Sequence, residues 1–399
     1  MDFEIDKELR REIEETREWG EREVRPAGLE ADRNGAPLPI DHPYFRRYLE
    51  HGGGRTRWHG PGAEPARGSS GGGVLKSVII GEEISYWDRG MTIANPGVGL
   101  PEGIVLASAT EEQKERFLGP FLKPDRPRWA SFALTEPGGG SDTANFKTRA
   151  RRDGKHWILT GAKCFIGNAS RADWILVQAN ADPEKGRSGQ RAFFVEQGTP
   201  GLGGFKIEKK MGLKAYESTS FTLEECRIPE NNLLGEAGRS AEKSDGGEKS
   251  SKGYKSTMST LNASRPGVAA SAIGIARAAL DESIAFARAN DLVKQVRVRD
   301  RLELFQRKLR AAWLMVLKSA WLADQGKPNI VEASMGKVYA AEIAQDIATL
   351  AMELLGVVGA RGDHLIEKLY RDVKALNIVE GTGQIQRVIM GRQLVGLPR

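Results

Sequence analysis

The hydrophobic period of this chain changes twice, and each change holds over a long contiguous run. Residues 1–125 carry helical spacing, residues 126–235 break into short β-rich runs, and residues 254–399 return to a helical period. Contiguous runs of one element type build separate domains rather than an alternating α/β sheet. The expected class is therefore α+β: an N-terminal helical domain, a middle antiparallel β-barrel or sandwich, and a C-terminal helical bundle.

Within the first zone, Ile79, Ile80, Ile84, Ile104, Val105 and Phe117 supply apolar positions, and Glu111–Phe117 opens as a capped helix after Thr110. The stretch from His51 to Gly73 is rich in Gly, Pro and Arg and reads as a long loop, a feature that is functional or mobile inside a compact domain. In the second zone the runs Trp129–Leu134, Trp157–Thr160, Trp174–Gln178, Ala192–Val195 and Ser220–Leu223 are strand-like. Turn signals fall at Asp153-Gly154, Pro183–Gly186 and Gly201–Gly204. In the third, Leu302, Phe305, Leu309 and Trp313, and then Ile343, Ile347, Leu350 and Leu354, form stripes of bundle helices. Residues 236–253 are polar and rich in Gly, Ser and Lys, as expected of a flexible insertion. Lys243, Lys249, Lys252 and Lys255 give it a basic, solvated character.

The 399 residues hold 59 Lys and Arg against 53 Asp and Glu, an excess too mild to indicate nucleic-acid binding. The two cysteines, Cys164 and Cys226, form no CxxC pair, and the five histidines lack ligand spacing, so no metal site is expected. The charged N-terminus does not read as a secretory or transit segment, and no apolar run approaches a membrane span, which makes the cytoplasm the default location. Cys164 reads as packing, and Trp313 and Trp321 as core.

Two segments carry the chemistry. Phe132-Ala-Leu-Thr-Glu-Pro-Gly-Gly-Gly-Ser-Asp142 leaves a strand through three glycines, where backbone N–H groups can meet a phosphate or a polarised ring edge. It matches neither a Walker loop nor a dinucleotide fingerprint. Tyr370-Arg-Asp-Val-Lys-Ala-Leu-Asn-Ile-Val-Glu-Gly-Thr-Gly-Gln-Ile-Gln-Arg387 breaks between two helices, with Glu380 at the break beside the apolar Ile378 and Val379. Partial desolvation there would suit a general base.

In combination, TEPGGGSD and RD-x-K-x-x-x-I-x-EGT-x-Q-I-Q resemble the acyl-CoA dehydrogenase family, from about residue 75 onward. The resemblance implies FAD, held by Phe132, Leu134, Thr135, Gly140, Ser141, Phe165, Gly167, Thr382 and Gln384. It implies Glu380 as the catalytic base that removes the α-proton of an acyl-CoA thioester, while a hydride passes from the β-carbon to flavin N5 and a trans-2-enoyl-CoA forms. Ser141, Asn262, Arg265 and Gly381 would contact the substrate. An electron-transfer flavoprotein would be the electron acceptor, and the oligomer a tetramer built as a dimer of dimers.

Several residues depart from the family pattern. Phe165 and Gly167 replace an aromatic and a hydroxyl residue of K-x-W-I-T-N. Asn290 stands where an Arg usually meets the flavin pyrophosphate of a neighbouring subunit, with Lys294 displaced from it, and Glu353 stands for a Gln. These changes leave a homo-oligomer and a hetero-oligomer open. Val379, where medium-chain members carry Tyr, suggests room for branched or cyclic acyl groups. The other readings are the same fold acting on a carrier-protein thioester, an oxygen-reacting flavoenzyme, and a non-catalytic partner or nucleic-acid-binding relative.

Overall fold

A computed structural model describes residues 5–62, 73–143, 145–235 and 252–397, without the side chains of residues 252–263. Most of the insertion at 236–253, including Lys243 and Lys249, the second part of the 51–73 loop, and the side chains of Lys252, Lys255 and Asn262 lie outside the described residues. The architecture is the expected one: helices, then a curled sheet, then helices.

The N-terminal helices are α1 (Lys7–Trp19), α2 (Arg25–Asn34), α3 (Pro43–Glu50), α4 (Gly73–Ala94), α5 (Pro101–Ser108) and α6 (Glu111–Leu118). At α6 the expected cap is a full capping box: Gln113 N donates to the Thr110 hydroxyl, and the Gln113 side chain accepts from Thr110 N. The described part of the Gly-rich loop is docked. Trp58 is 7% exposed in a cluster with Phe117, Phe121 and Trp174, while Glu102 accepts from the Thr56 hydroxyl at 2.8 Å and from Arg57 N at 2.6 Å. The glycines spaced the loop in the sequence, but the tryptophan anchors it.

The middle domain is one seven-stranded sheet: β1 (Ala130–Ala133), β2 (Arg149–Asp153), β3 (His156–Gly167), β4 (Trp174–Asn180), β5 (Gln190–Glu196), β6 (Leu202–Ile207) and β7 (Ser218–Pro229). It is not wholly antiparallel. β1 runs parallel to β4, and β2 meets β4 in parallel at Arg149–Asn180, because the β2–β3 hairpin intervenes before the chain returns beside β1. The expected turn at Gly201–Gly204 is instead the start of β6. This edge strand holds Gly204 at a φ of 64° and slips register against β7 between Gly203 and Lys206. Backbone pairing carried it without an apolar pattern.

The C-terminal domain contains α7 (Lys252–Ala289), α8 (Val296–Asp324), α9 (Ile330–Leu355), α10 (Leu365–Val373) and α11 (Gly383–Leu394). Buried alanines on α7 (Ala272, Ala276, Ala279) and α9 (Ala340, Ala344, Ala348) belong to one core cluster with Ile273, Val316 and Ile347. Small side chains there let helix axes approach closely. α4 also lies against α7: a Cβ on Gly274 would stand 2.3 Å from the Glu82 carbonyl oxygen, so only glycine fits.

A buried knot ties the three domains. Asp88 interrupts α4 with φ −166° and ψ 112°, and its carboxylate accepts from Met91 N at 2.8 Å, capping the second half of the helix. Lys368 of α10 lies 2.5 Å from Asp88 and 2.5 Å from Asp372, and Asp372 accepts from Leu213 N, between β6 and β7. Burial works against the Lys368 charge, but the two carboxylates outweigh it and raise its pKa.

Candidate active site

The Gly-rich segment leaves β1 and is shaped by a buried ion pair. Glu136 is 5% exposed and Lys163 of β3 is fully buried; their charged atoms are 2.8 Å apart. Lys163 also donates to the Leu134 carbonyl at 3.1 Å, and Glu136 accepts from Lys147 N and Thr148 N at 2.6 and 3.1 Å. Cys164 N donates to the Thr135 carbonyl, so the turn is clamped to β3 on both sides. Burial pushes the Glu136 carboxyl up, but Lys163 and the backbone donors prevail and hold it below its usual range.

That clamp leaves its outer face open. Gly140 and Ser141 are exposed, Phe132, Leu134 and Thr135 half-buried, and a Cβ on Gly138 or Gly139 would meet nothing within 4 Å. On β3, Phe165 adopts a left-handed φ of 58° between the register points at Lys163 and Ile166, and its ring is 67% exposed. A large aromatic held outward at a strained backbone position fits an aromatic ring system stacking on it. Gly167 spends its carbonyl on the Ser131 hydroxyl at 2.7 Å. Cys164 is 6% exposed, as packing requires.

The second segment forms the expected break. α10 gives way to a 3-10 turn at Lys374–Asn377, Glu380 and Gly381 take φ of 54° and 95°, and α11 starts at Gly383. Thr382 is the N-cap of α11, its hydroxyl accepting from Ile385 N at 3.3 Å, and Gln384 is exposed. The setting of Glu380 differs from the apolar one anticipated. Ile378 turns outward, 63% exposed, and the groups around the carboxylate are polar because three helices direct long side chains to the break. The Ser264 hydroxyl of α7 donates to the Glu380 carboxylate. Lys337 of α9 donates to the carbonyls of Val379, at 2.7 Å, and Gly381.

Arg265 is 8% exposed, and among the described residues its Nε and Nη1 have no hydrogen-bond partner, nor has Nε of Arg89 on α4. Burial lowers the pKa of Arg89, Arg265 and Lys337, the last to about 8, and the Glu380 charge opposes the shift in each. Sequence reasoning missed Ser264, Arg89, Lys337 and the Glu136–Lys163 pair. Ser264 and Glu136 sat inside the motifs already picked out, whereas Arg89 and Lys337 carried no local signal.

α4 joins the two segments. Its C-terminal half brings Arg89 to Glu380, while its Ile93 carbonyl accepts from Asn168, just past the end of β3, at 2.8 Å. Three other positions that departed from the family pattern, Asn290, Lys294 and Glu353, lie elsewhere and are exposed. Asn290 donates to the Phe286 carbonyl of its own helix, Lys294 pairs with Asp291 at 2.9 Å, and Glu353 pairs with Arg301 at 2.5 Å.

The Glu380 carboxylate thus stands at a helix break among hydroxyl and cationic groups, and α4 links that break to the sheet that carries the open glycine turn and the outward aromatic. Family models for the acyl-CoA dehydrogenase N-terminal, middle and C-terminal domains match residues 6–125, 131–226 and 251–395. The chain belongs to the acyl-CoA dehydrogenase family and is an enzyme of that kind. It is 33% identical over 403 residues to acryloyl-CoA reductase (NADH) of Anaerotignum propionicum, covering 99% of this chain and 96% of the relative. It is 30% identical to the short-chain-specific acyl-CoA dehydrogenase of Clostridium acetobutylicum, covering 99% of this chain and all of the relative. Among solved structures, butyryl-CoA dehydrogenase from Megasphaera elsdenii superposes with a TM-score of 0.86 at 29% identity, over 99% of this chain and 100% of the other.

Proposed function

We propose that this enzyme dehydrogenates an acyl-CoA thioester between its α- and β-carbons, with Glu380 as the base. The observation that carries the reading is the Glu380 carboxylate itself, held at a left-handed bend with Ser264 donating to it and Arg89 and Arg265 nearby. The α C–H bond breaks, its proton passes to the carboxylate, and the electron pair becomes the new α–β double bond as hydrogen leaves the β-carbon with its pair. FAD, when bound, supplies the acceptor for that pair.

Phe132, Leu134, Thr135, Gly140, Ser141, Phe165, Gly167, Thr382 and Gln384 would hold the flavin. The exposed Phe165 ring and the open glycine turn fit such a group. Ser141, Asn262, Arg265 and Gly381 would meet the substrate, and the partnerless Arg265 N–H groups suit an anionic or carbonyl acceptor there. The Glu380 and Gly381 N–H groups lie at a bend rather than inside a helix, so they are free of the helical ladder, and one of them can serve the thioester carbonyl, as a donor aimed at developing negative charge. Val379 beside the base favours branched or cyclic acyl groups. An electron-transfer flavoprotein is the proposed acceptor, and the assembly an oligomer.

The test is the visible spectrum of the purified chain, followed by anaerobic addition of straight, branched and cyclic acyl-CoAs. Bleaching of a bound yellow flavin by one of them supports the reading and names the acyl class. A flavin that none of them bleaches overturns it. A colourless chain that stays colourless with added FAD refutes flavin binding by this chain alone and points to a second subunit near Asn290.

A further inference from the structure

Glu380 stands on a bend that its own backbone does not explain. A glutamate at φ 54° followed by Gly381 at φ 95° is a left-handed pair outside any helix. A non-glycine residue there costs on the order of 1–2 kcal/mol, so the surroundings must enforce it. The enforcement comes from α9. Lys337 is 1% exposed, and its ammonium donates to the carbonyls on either side of the base, those of Val379 and Gly381. One turn earlier on the same helix, Ser334 donates to the Gln386 side chain at 2.9 Å, and Gln386 donates to the Gly381 carbonyl at 3.3 Å. Both Ser334 and Gln386 are fully buried.

We propose that Lys337 is a positioning residue for the base: by gripping the Val379 and Gly381 carbonyls it fixes the left-handed bend that aims the Glu380 carboxylate. This rests on the reading of Glu380 as the base.

The geometry separates this role from simple satisfaction of a buried lysine. Neither carbonyl carries a charge, so the ammonium has its compensation in Glu380 of the bend, while Arg265 of α7 opposes it. A lysine kept for packing alone could be replaced by a long apolar residue at little cost to chemistry. A lysine that aims the base could not.

Holoenzyme of Lys337→Met, Lys337→Gln and Glu380→Gln would be compared with the parent for flavin content, melting temperature, kcat and KM, using the acyl-CoA that bleaches the flavin. Lys337→Met is expected to keep flavin and KM within about threefold while kcat falls roughly 100-fold, a loss within the general-base range. Lys337→Gln keeps donors for the two carbonyls but not the charge. It should recover much of kcat, to within about tenfold of the parent, because the two carbonyls are gripped again.

Unchanged kcat in Lys337→Met, or a kcat in Lys337→Gln no better than in Lys337→Met, overturns the proposal. Where the Met variant does not fold, the Gln variant decides alone: a kcat near the parent's supports the proposal, and a loss of about 100-fold with flavin and KM kept overturns it. Glu380→Gln keeps the two failures apart. An active Glu380→Gln enzyme defeats the base assignment itself, while an inactive one beside normal Lys337 variants defeats only the positioning role.

Discussion

Lys163 and Glu136 stand 2.8 Å apart beneath the glycine turn, both shut away from solvent, and the turn's shape depends on them. Removing one partner of a buried pair leaves the other charge uncompensated, at a cost of about 3–5 kcal/mol. Lys163→Met should therefore lower the melting temperature and release flavin, measured by thermal unfolding and by the 450 nm absorbance of the purified protein. The carboxyl of Glu136 lies below its unfolded value of 4.5, so its contribution is complete above that pH and is lost as pH falls through the folded value. Acid titration of the melting temperature should show this loss in the parent and not in Glu136→Gln.

Phe165→Ala separates cofactor contact from folding. The ring is 67% exposed, so its loss should change stability by less than about 0.5 kcal/mol. A stacking contact is worth about 1 kcal/mol, which weakens flavin binding roughly fivefold. Titration of apoprotein with FAD measures it, and an unchanged affinity would remove Phe165 from the flavin site.

Glu380→Gln keeps the bend and the Ser264 hydrogen bond but not the base. Turnover should fall by about 100- to 10,000-fold with the flavin spectrum intact. Stopped-flow bleaching by acyl-CoA reads the proton-removal step directly, and rates near those of the parent would exclude the assignment.

Lys368→Met leaves Asp88 and Asp372 facing each other in a dry interior. The expected cost is again about 3–5 kcal/mol. With the cation gone, burial and the neighbouring Asp88 push the Asp372 carboxyl further up, so the deficit should shrink at about pH 5 and grow towards about pH 8. Melting curves of parent and variant across that range check the sign.

The three zones and most strands were legible because burial imposes a period on the residues that supply the core, as along Ile343, Ile347 and Leu350. β6 escaped notice, since Gly203 and Gly204 separate Leu202 from Phe205 and Ile207 and break the apolar alternation. The parallel pairing of β1 with β4 is a matter of topology and leaves no local mark. At the site, the break around Glu380 was readable from Gly381 and Gly383. Its surroundings were not. The apolar neighbours in sequence, such as Ile378, point away, and the polar neighbours in space come from residues far along the chain, Arg89, Ser264 and Lys337. A charge placed by tertiary packing has no sequence period to announce it.

The Asp88–Lys368–Asp372 knot takes one carboxylate from the first zone, a lysine and a carboxylate from the third, and closes on a backbone N–H from the second. Separating the first zone from the third would leave Asp88 without its cation, and separating the second from the third would leave Asp372 without the Leu213 N–H. The three regions are therefore inseparable in a thermodynamic sense. None can be swapped for a foreign counterpart without carrying its share of this contact, and the molecule is expected to melt as a single cooperative unit, with one calorimetric peak.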